Sequence, residues 1–287
     1  MRVIRVLAAN PGIRELEGTN TWIVGDPPAV VIDPGPEDAG HLNEIVRSAG
    51  VVGAIVITHD HPDHSPGALP LAAVTGAPVF AARPTRGMRP VRDGQTVSAG
   101  ATALSVVSTP GHTPDHLAFH APATGSLFTG DAVLGRGTSV IDPPEGDLTA
   151  YLHSLRRLRD LSPKTIYPGH GPVVLRAMAT LDEYLQHRGM REEQILTALD
   201  GEWRSIDELV QEIYADYPAE VHALAARSVL AHLLKLEKEG RADTRAKGGE
   251  PRWTQIEPRS CERCGRPVRG RARYCGSCSL AVLQESG

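Results

Sequence analysis

Residues 55–67 read IVITHDHPDHSPG, and they decide how the rest of the chain is read. Ile55, Val56 and Ile57 have the character of a buried strand that runs into Thr58. The next six residues carry His59, His61, Asp63 and His64. Imidazole and carboxylate are ordinary ligands of a divalent metal, and a turn at a strand end aims side chains two apart at a common centre. A single histidine in such a turn would be read as a satisfied surface residue. Three histidines and an aspartate in this spacing read as a metal-binding loop.

Three later segments have the same construction, a strand followed by a polar turn. SVVSTPGHTPDH places His112 after its strand, LFTGDAV places Asp131, and TIYPGHGPVV places His170. Each residue alone would be an ordinary hydrogen-bonded loop residue. Together they supply the ligands that the first loop lacks.

The strands belong to an α/β pattern. Short β-branched runs at 3–8, 21–24, 30–33, 54–58, 79–81, 102–108, 116–120, 126–129 and 165–167 alternate with helical patterns at 39–49, 67–74 and 148–161. From Ala177 onward the apolar spacing becomes helical, with Gly189 a possible interruption. Ser205 and Glu208 form a capping-box signature for a helix through Tyr214, and a second helix stops at Gly240. RADTRAKGGEPRWTQI then reads as a hairpin, and helix, helix, hairpin is the order of a winged helix.

The chain of 287 residues, 41% hydrophobic, is long enough for one large domain and one or two small ones. It has no apolar run of roughly 20 residues and no leader-like start, so no membrane span is expected. All four cysteines fall in the last 27 residues, which leaves the main body without a disulfide framework. A cytoplasmic, reducing location is expected. Residues 1–240 hold 20 basic and 29 acidic side chains, whereas residues 241–287 hold 10 and 5, so an acidic body carries a basic tail.

In the order THDHPDH, PGHT, TGDA and PGHG, the chain resembles the metallo-β-lactamase superfamily over residues 1–175. That resemblance implies an αββα sandwich with two Zn2+ ions at one edge. It assigns His59, His61 and His112 to the first ion, Asp63, His64 and His170 to the second, and Asp131 to a bridge between them. Two such ions lower the pKa of a shared water and polarise the group under attack. Asp63 has a further expected role, carrying the nucleophile's proton to the leaving group. His116, four residues beyond His112, and Arg136, Thr138 and Ser139 in GRGTS are candidate substrate contacts. A plain glycine-rich turn is the alternative for GRGTS. His41, His120, His153, His187, His222 and His232 have no partner pattern and read as structural or surface residues.

Cys261 and Cys264 form one CxxC, and Cys275 and Cys278 another, with ten residues between the pairs. Four thiolates in two knuckles suit a third, structural Zn2+, and CERCGRPVRGRARYCGSC resembles a short zinc ribbon. Redox-active pairs are the alternative reading. Six arginines and one glutamate lie between residues 259 and 273, beside Tyr274. That composition suits nucleic acid, a protein contact or plain solvation.

The expected organisation is therefore a catalytic domain at 1–175, a winged-helix-like domain at 176–256 and a four-cysteine zinc ribbon at 257–287. WRSIDELVQEIYADYP and SVLAHLLKLEKEGRA resemble the C-terminal domain of the β-lactamase-like protein 2 family. That resemblance implies an endoribonuclease acting on single-stranded RNA, with the basic tail as a further RNA contact. The alternatives are a thioesterase of hydroxyacylglutathione-hydrolase or acyl-carrier type, taking a small acyl thioester, and an iron-dependent persulfide dioxygenase. A nucleic-acid-binding regulator with a vestigial hydrolase domain is a reading of another class.

Overall fold

A computed structural model of the protein describes residues 1–256, 259–264 and 267–268. They form two compact units: residues 1–139 with 144–186, and residues 140–143 with the chain from His187 onward.

The first unit is built on two sheets. One runs β1 (Val3–Leu7), β2 (Asn20–Val24), β3 (Ala29–Ile32), β4 (Val52–Val56), β5 (Val79–Ala81) and β6 (Met88–Pro90) in spatial order. Its first three strands are antiparallel, and β3 to β6 are parallel. The other has the order β11 (Thr165–Pro168), β10 (Ser126–Gly130), β9 (Leu117–Ala121), β8 (Thr102–Ser108) and β7 (Thr96–Ala99). Alternation along β2, β3 and β8 sends Trp22, Val24, Val30, Ile32, Leu104 and Val106 into one core with Phe119 and Phe128, so the two sheets pack face to face.

The opposite face of the first sheet is covered by α1 (Ala39–Ala49) and α2 (Ala68–Thr75), with Ile45 and Leu71 buried against Ile23, Val31, Ile55 and Val79. Asp38 caps α1 by accepting from the His41 N–H at 2.7 Å. The helix α3 (Leu148–Asp160) buries Tyr151, Leu155 and Leu158, and Tyr151 donates to the carbonyl of Ala132 at 2.7 Å. The expected αββα sandwich is thus present. The strands β6 and β7 escaped the sequence reading, because MRP and TVSA are only three and four residues long and carry exposed residues.

In the second unit, α5 (Ile206–Ile213) opens on the expected capping box, with Ser205 and Glu208 bonding each other's backbone N–H. It packs with α6 (His222–Lys238) and the hairpin of β12 (Ala242–Lys247) and β13 (Glu250–Gln255) around Leu209, Val229, Leu233, Leu236 and Trp253. The helix α4 (Ala177–Leu199) continues through Gly189 without a break. That corrects the expected interruption: nothing lies within 4 Å of where a Cβ on Gly189 would be, and about 1 kcal/mol of helix propensity is too little to end a 23-residue helix.

Beyond the hairpin, β14 (Arg259–Ser260) pairs antiparallel with β15 (Pro267–Val268), which puts Cys261 and Cys264 between the two strands in sequence. Cys261 is buried and Cys264 exposed. Cys275 and Cys278 lie outside the described residues. No described helix is long and apolar enough to cross a membrane.

Candidate metal centre

Parallel pairing brings the site together. The strands β3 and β4 end side by side, so Asp33 and the loop that begins at Thr58 emerge at the same edge. In the second sheet β10 and β11 are also parallel, so Asp131 and His170 emerge together. The Leu117 N–H bonds the Thr58 carbonyl at 2.7 Å and ties the two edges to each other.

Three groups of donor atoms result, each within 4.8 Å: His59, His61 and His112; His59, His64 and Asp131; and Asp63, His64 and His170. His61 Nδ1 lies 2.9 Å from His59 Nε2 and 3.2 Å from His112 Nε2. In the third group His64 Nε2 and His170 Nε2 are 3.2 Å apart, with Asp63 Oδ2 3.2 and 3.1 Å from them. Asp131 spans the two ends, Oδ2 lying 3.7 Å from His112 Nε2 and Oδ1 3.5 and 3.4 Å from His64 and His170.

The hydrogen bonds behind these rings fix their tautomers. His64 Nδ1 donates to Asp33 Oδ2 at 2.9 Å, and His170 Nδ1 donates to the Gly18 carbonyl at 3.2 Å. Thr58 gives its hydroxyl proton to Asp33 Oδ2 at 2.7 Å, so it accepts from His59 Nδ1 at 3.0 Å. Each arrangement turns Nε2 toward the centre, where its lone pair is available to a metal once its proton is displaced. Donors held about 3.3 Å apart are what a tetrahedral ion with bonds of about 2.0–2.1 Å requires, and imidazole with carboxylate is a fitting donor set for zinc.

Electrostatics within the cluster follow from burial and proximity. Burial and the imidazoles of His64, His116 and His112 keep His59 well below its ordinary value. For Asp63 burial opposes ionisation, yet hydrogen bonds from His170 and His64 hold its carboxyl far below the usual range. Asp131 is likewise held down by His64 and His170 despite its burial. Burial opposes charge on His170 too, but Asp131 and Asp63 push it up to about 10. Without a metal, then, protons on His64 and His170 compensate the carboxylates, and a divalent ion would replace them.

His116 does not face outward. Its ring is fully buried, with Nε2 accepting the Asp131 backbone N–H at 3.1 Å and Nδ1 donating to Thr109 Oγ1 at 2.8 Å. It buttresses Asp131 from behind, where the sequence suggested a substrate contact. Gly130, with φ near 47°, leaves room for this: a Cβ there would sit 2.6 Å from Thr58 Oγ1 and 3.0 Å from His116 Nε2. Gly169 serves the same purpose on the other side, where a Cβ would lie 2.5 Å from Asp131 Oδ1.

Of the GRGTS residues, Ser139 is buried and Thr138 half-buried. Arg136 is exposed, pairs with Glu17 at 2.7 Å, and lines an open cleft of about 480 Å³ with Arg176, Val173, Leu175 and Tyr184. The Gly135 N–H at its edge donates to the His170 carbonyl at 2.9 Å.

Sequence reasoning missed Asp33, Thr58, Thr19 and Asn20. Asp33 is 1% exposed, adopts φ near 50°, and also accepts the Thr58 N–H at 2.7 Å. Asn20 donates to the Pro168 and Gly171 carbonyls at 3.0 and 2.8 Å, pinning the His170 turn to β2. Thr19 donates to Asp63 Oδ2 at 3.2 Å. An aspartate ending a fully apolar strand, before Pro-Gly, was the one available signal.

A family model described as metallo-beta-lactamase superfamily matches residues 14–170, and one described as beta-lactamase associated winged helix domain matches residues 205–253. The chain is 34% identical over 264 residues to a protein of Drosophila melanogaster named beta-lactamase-like protein 2 homolog, covering 83% of this chain and 89% of that one. It is 33% identical over 269 residues to an Aspergillus chevalieri protein named atrochrysone carboxyl ACP thioesterase, covering 88% and 86%. Among solved structures, a metallo-beta-lactamase family protein from Thermus thermophilus superposes with a TM-score of 0.75 at 23% identity, covering 88% of this chain and 98% of that one.

Proposed function

Because the chain belongs to the metallo-β-lactamase superfamily of metal-dependent hydrolases, we propose that it hydrolyses the thioester of an acyl chain borne by a carrier. The convergence of seven donor residues on one edge supports hydrolysis at a dinuclear centre. The likeness to a protein named as an ACP thioesterase supports the thioester.

In this reading His59, His61 and His112 would hold one Zn2+ and Asp63, His64 and His170 the other, with Asp131 within reach of both. Ions bound there would lower the pKa of a water and polarise the carbonyl under attack. The chain's own residues do the rest. Asp33, Thr58 and the Gly18 carbonyl hold the imidazole tautomers that leave Nε2 free to bind metal. Asp63, kept ionised, accepts the proton that the attacking water loses. The carbonyl carbon forms its bond to oxygen, the C–S bond breaks, and the departing thiolate takes that proton. Arg136 in its cleft is a candidate contact for the carrier arm.

A second reading, cleavage of single-stranded RNA, is favoured by the six arginines between residues 259 and 273. The same tail is the proposed site of a third Zn2+, held by Cys261, Cys264, Cys275 and Cys278. A body of 260 cysteine-free residues fits a reducing, cytoplasmic location.

The test is the zinc-loaded and iron-loaded protein against octanoyl-pantetheine, a single-stranded RNA and a β-lactam. Thioester turnover that disappears in Asp131→Ala supports the first reading. RNA cleavage without thioester turnover replaces it with the second.

A further inference from the structure

Between Asp63 and Asp93 the chain has no acidic residue and four arginines, Arg83, Arg86, Arg89 and Arg92, in a body that is otherwise acidic. All four are exposed. Among the described residues none of them is paired with a carboxylate, whereas Arg47, Arg136, Arg157, Arg159, Arg204, Arg227, Arg241 and Arg252 each are. Guanidinium groups without a carboxylate, concentrated on one stretch, make a local positive field that an acidic surface elsewhere lacks.

Their place in the fold gives that field a use. The strand β5 is parallel to β4, so the segment after Ala81 emerges at the same edge as the loop that carries His59. Arg83 and Thr85 border the same small crevice as Thr58, His59 and Asp60. Asp60 and Asp115 also border it without pairing with Arg83. The arginine segment therefore begins at the rim of the metal centre.

Beside it runs an apolar helix face. A Cβ on Gly87 would lie 3.4 Å from Leu69 Cδ2, which sets the arginine segment against α2. That helix buries Ala68 and Leu71, and its outer arc of Leu69, Pro70, Ala73 and Val74 has no polar member. Val74 is 75% exposed and Leu69 37%. A surface helix ordinarily turns charged residues outward, so an apolar outer arc marks a contact surface.

We infer that Leu69 and Val74, with Arg83, Arg86, Arg89 and Arg92, form the docking face for an acidic, helical acyl-carrier protein. The inference rests on the thioesterase reading and names the partner that brings the acyl chain to the rim. Charge selects it: four cations without carboxylate partners ask for clustered carboxylates, and aliphatic side chains ask for an apolar patch among them. The chain's own basic tail has the same sign of charge. A single-stranded nucleic acid would want aromatic stacking platforms, and the exposed arc of α2 offers only aliphatic side chains.

The experiment compares the full-length wild type with Arg83→Glu/Arg86→Glu and with Leu69→Asp. Binding is read by fluorescence anisotropy with an acyl carrier protein whose octanoyl group is attached through a non-hydrolysable amide. Turnover of octanoyl-pantetheine is read separately. The double variant should bind the carrier at least about tenfold more weakly at low salt, with the difference shrinking as salt rises, and Leu69→Asp should weaken it with little salt dependence. Both should hydrolyse octanoyl-pantetheine as the wild type does, which shows that they are folded and metal-loaded. Wild-type carrier affinity in both variants overturns the docking face. So does weakened binding of a single-stranded RNA with carrier binding intact, or a change of oligomeric state in either variant. If the wild type binds the carrier amide but hydrolyses no thioester, the thioesterase reading fails while the docking face stands. Arg83→Gln/Arg86→Gln replaces the double variant if charge reversal prevents folding, and its expected loss is smaller but in the same direction.

Discussion

The backbone N–H of Asp131 donates to Nε2 of His116 at 3.1 Å, although the two residues are fifteen positions apart in sequence. An acceptor at Nε2 requires the proton on Nδ1, where Thr109 Oγ1 takes it at 2.8 Å. His116 thus holds the one carboxylate that reaches both halves of the donor cluster. Replacing it with leucine strands the Asp131 N–H in a buried site, at a cost of about 1–3 kcal/mol. His116→Leu should bind metal about 10–100-fold more weakly, whereas His116→Gln, whose amide oxygen can accept the same N–H, should recover part of that loss. Metal titration followed by cobalt absorption, with circular dichroism as the fold check, reads both. Equal affinities in the two variants would remove His116 from the support of Asp131.

Asp33 serves His64 and His59 together, one directly and one through Thr58. Asp33→Asn keeps the shape but leaves one acceptor oxygen for three donors, the Thr58 N–H, the Thr58 hydroxyl and His64 Nδ1. It should weaken metal binding by one to two orders of magnitude while the protein stays folded. Elemental analysis after dialysis against a weak chelator checks this, and full occupancy in the variant would refute it.

Acidity should act on the metal-stripped protein in a direction set by His170. Its folded value, about 10, lies above its ordinary 6.5, so the charged ring stabilises the folded state fully below about 6.5. That contribution is lost as the pH rises through about 10. Asp63 and Asp131 shift the opposite way, so theirs is present above the ordinary carboxylate value of 3.8 and is lost only as strong acid protonates them. The melting temperature of the metal-stripped protein should fall between about pH 7 and 10 more steeply than that of the loaded protein, whose ring nitrogens are bound. Metal uptake should release protons and weaken with acid. Parallel melting curves for the two forms would contradict the assignment.

Removal of residues 258–287 should lower zinc content by one ion and leave hydrolysis of a small substrate unchanged, since no residue of the metal centre lies there. If the arginines of that segment also bind single-stranded RNA, about four lost contacts flatten the logarithmic salt dependence of binding by roughly 3. Equal zinc content in both chains would sink the ribbon, and equal salt slopes would sink the RNA contact.

The two residues most exposed to a simple test are Asp131 and His59. Asp131→Ala and His59→Ala should each reduce turnover by several orders of magnitude without unfolding the first unit, whose inter-sheet core they do not enter. A circular dichroism spectrum close to the wild type's accompanies the loss.

Much of this molecule was written locally. A β-branched run ending in THDHPDH announces both a strand and its ligands, because alternation and spacing within a dozen residues carry that information. The same holds for the capping box at Ser205 and Glu208 and for the helices around it. What stayed illegible depends on pairs far apart in the chain. Asn20 and the Pro168 carbonyl are 148 positions apart, His170 and Gly18 are 152 apart, and Asp33 and Thr58 are 25 apart. No periodicity links such residues. His116 looked like a sixth histidine facing the site, and only the register of β9 against β8 and β10 turned its neighbours into the core and its ring toward Asp131. Arg83 likewise gained its meaning from parallel pairing of β4 with β5, which set it at the rim of the metal centre. The sequence by itself determined which donors exist and on which strand ends they stand; the tertiary structure decided which of them meet and what holds each ring, because those contacts are made by sheet register and not by neighbours in the chain.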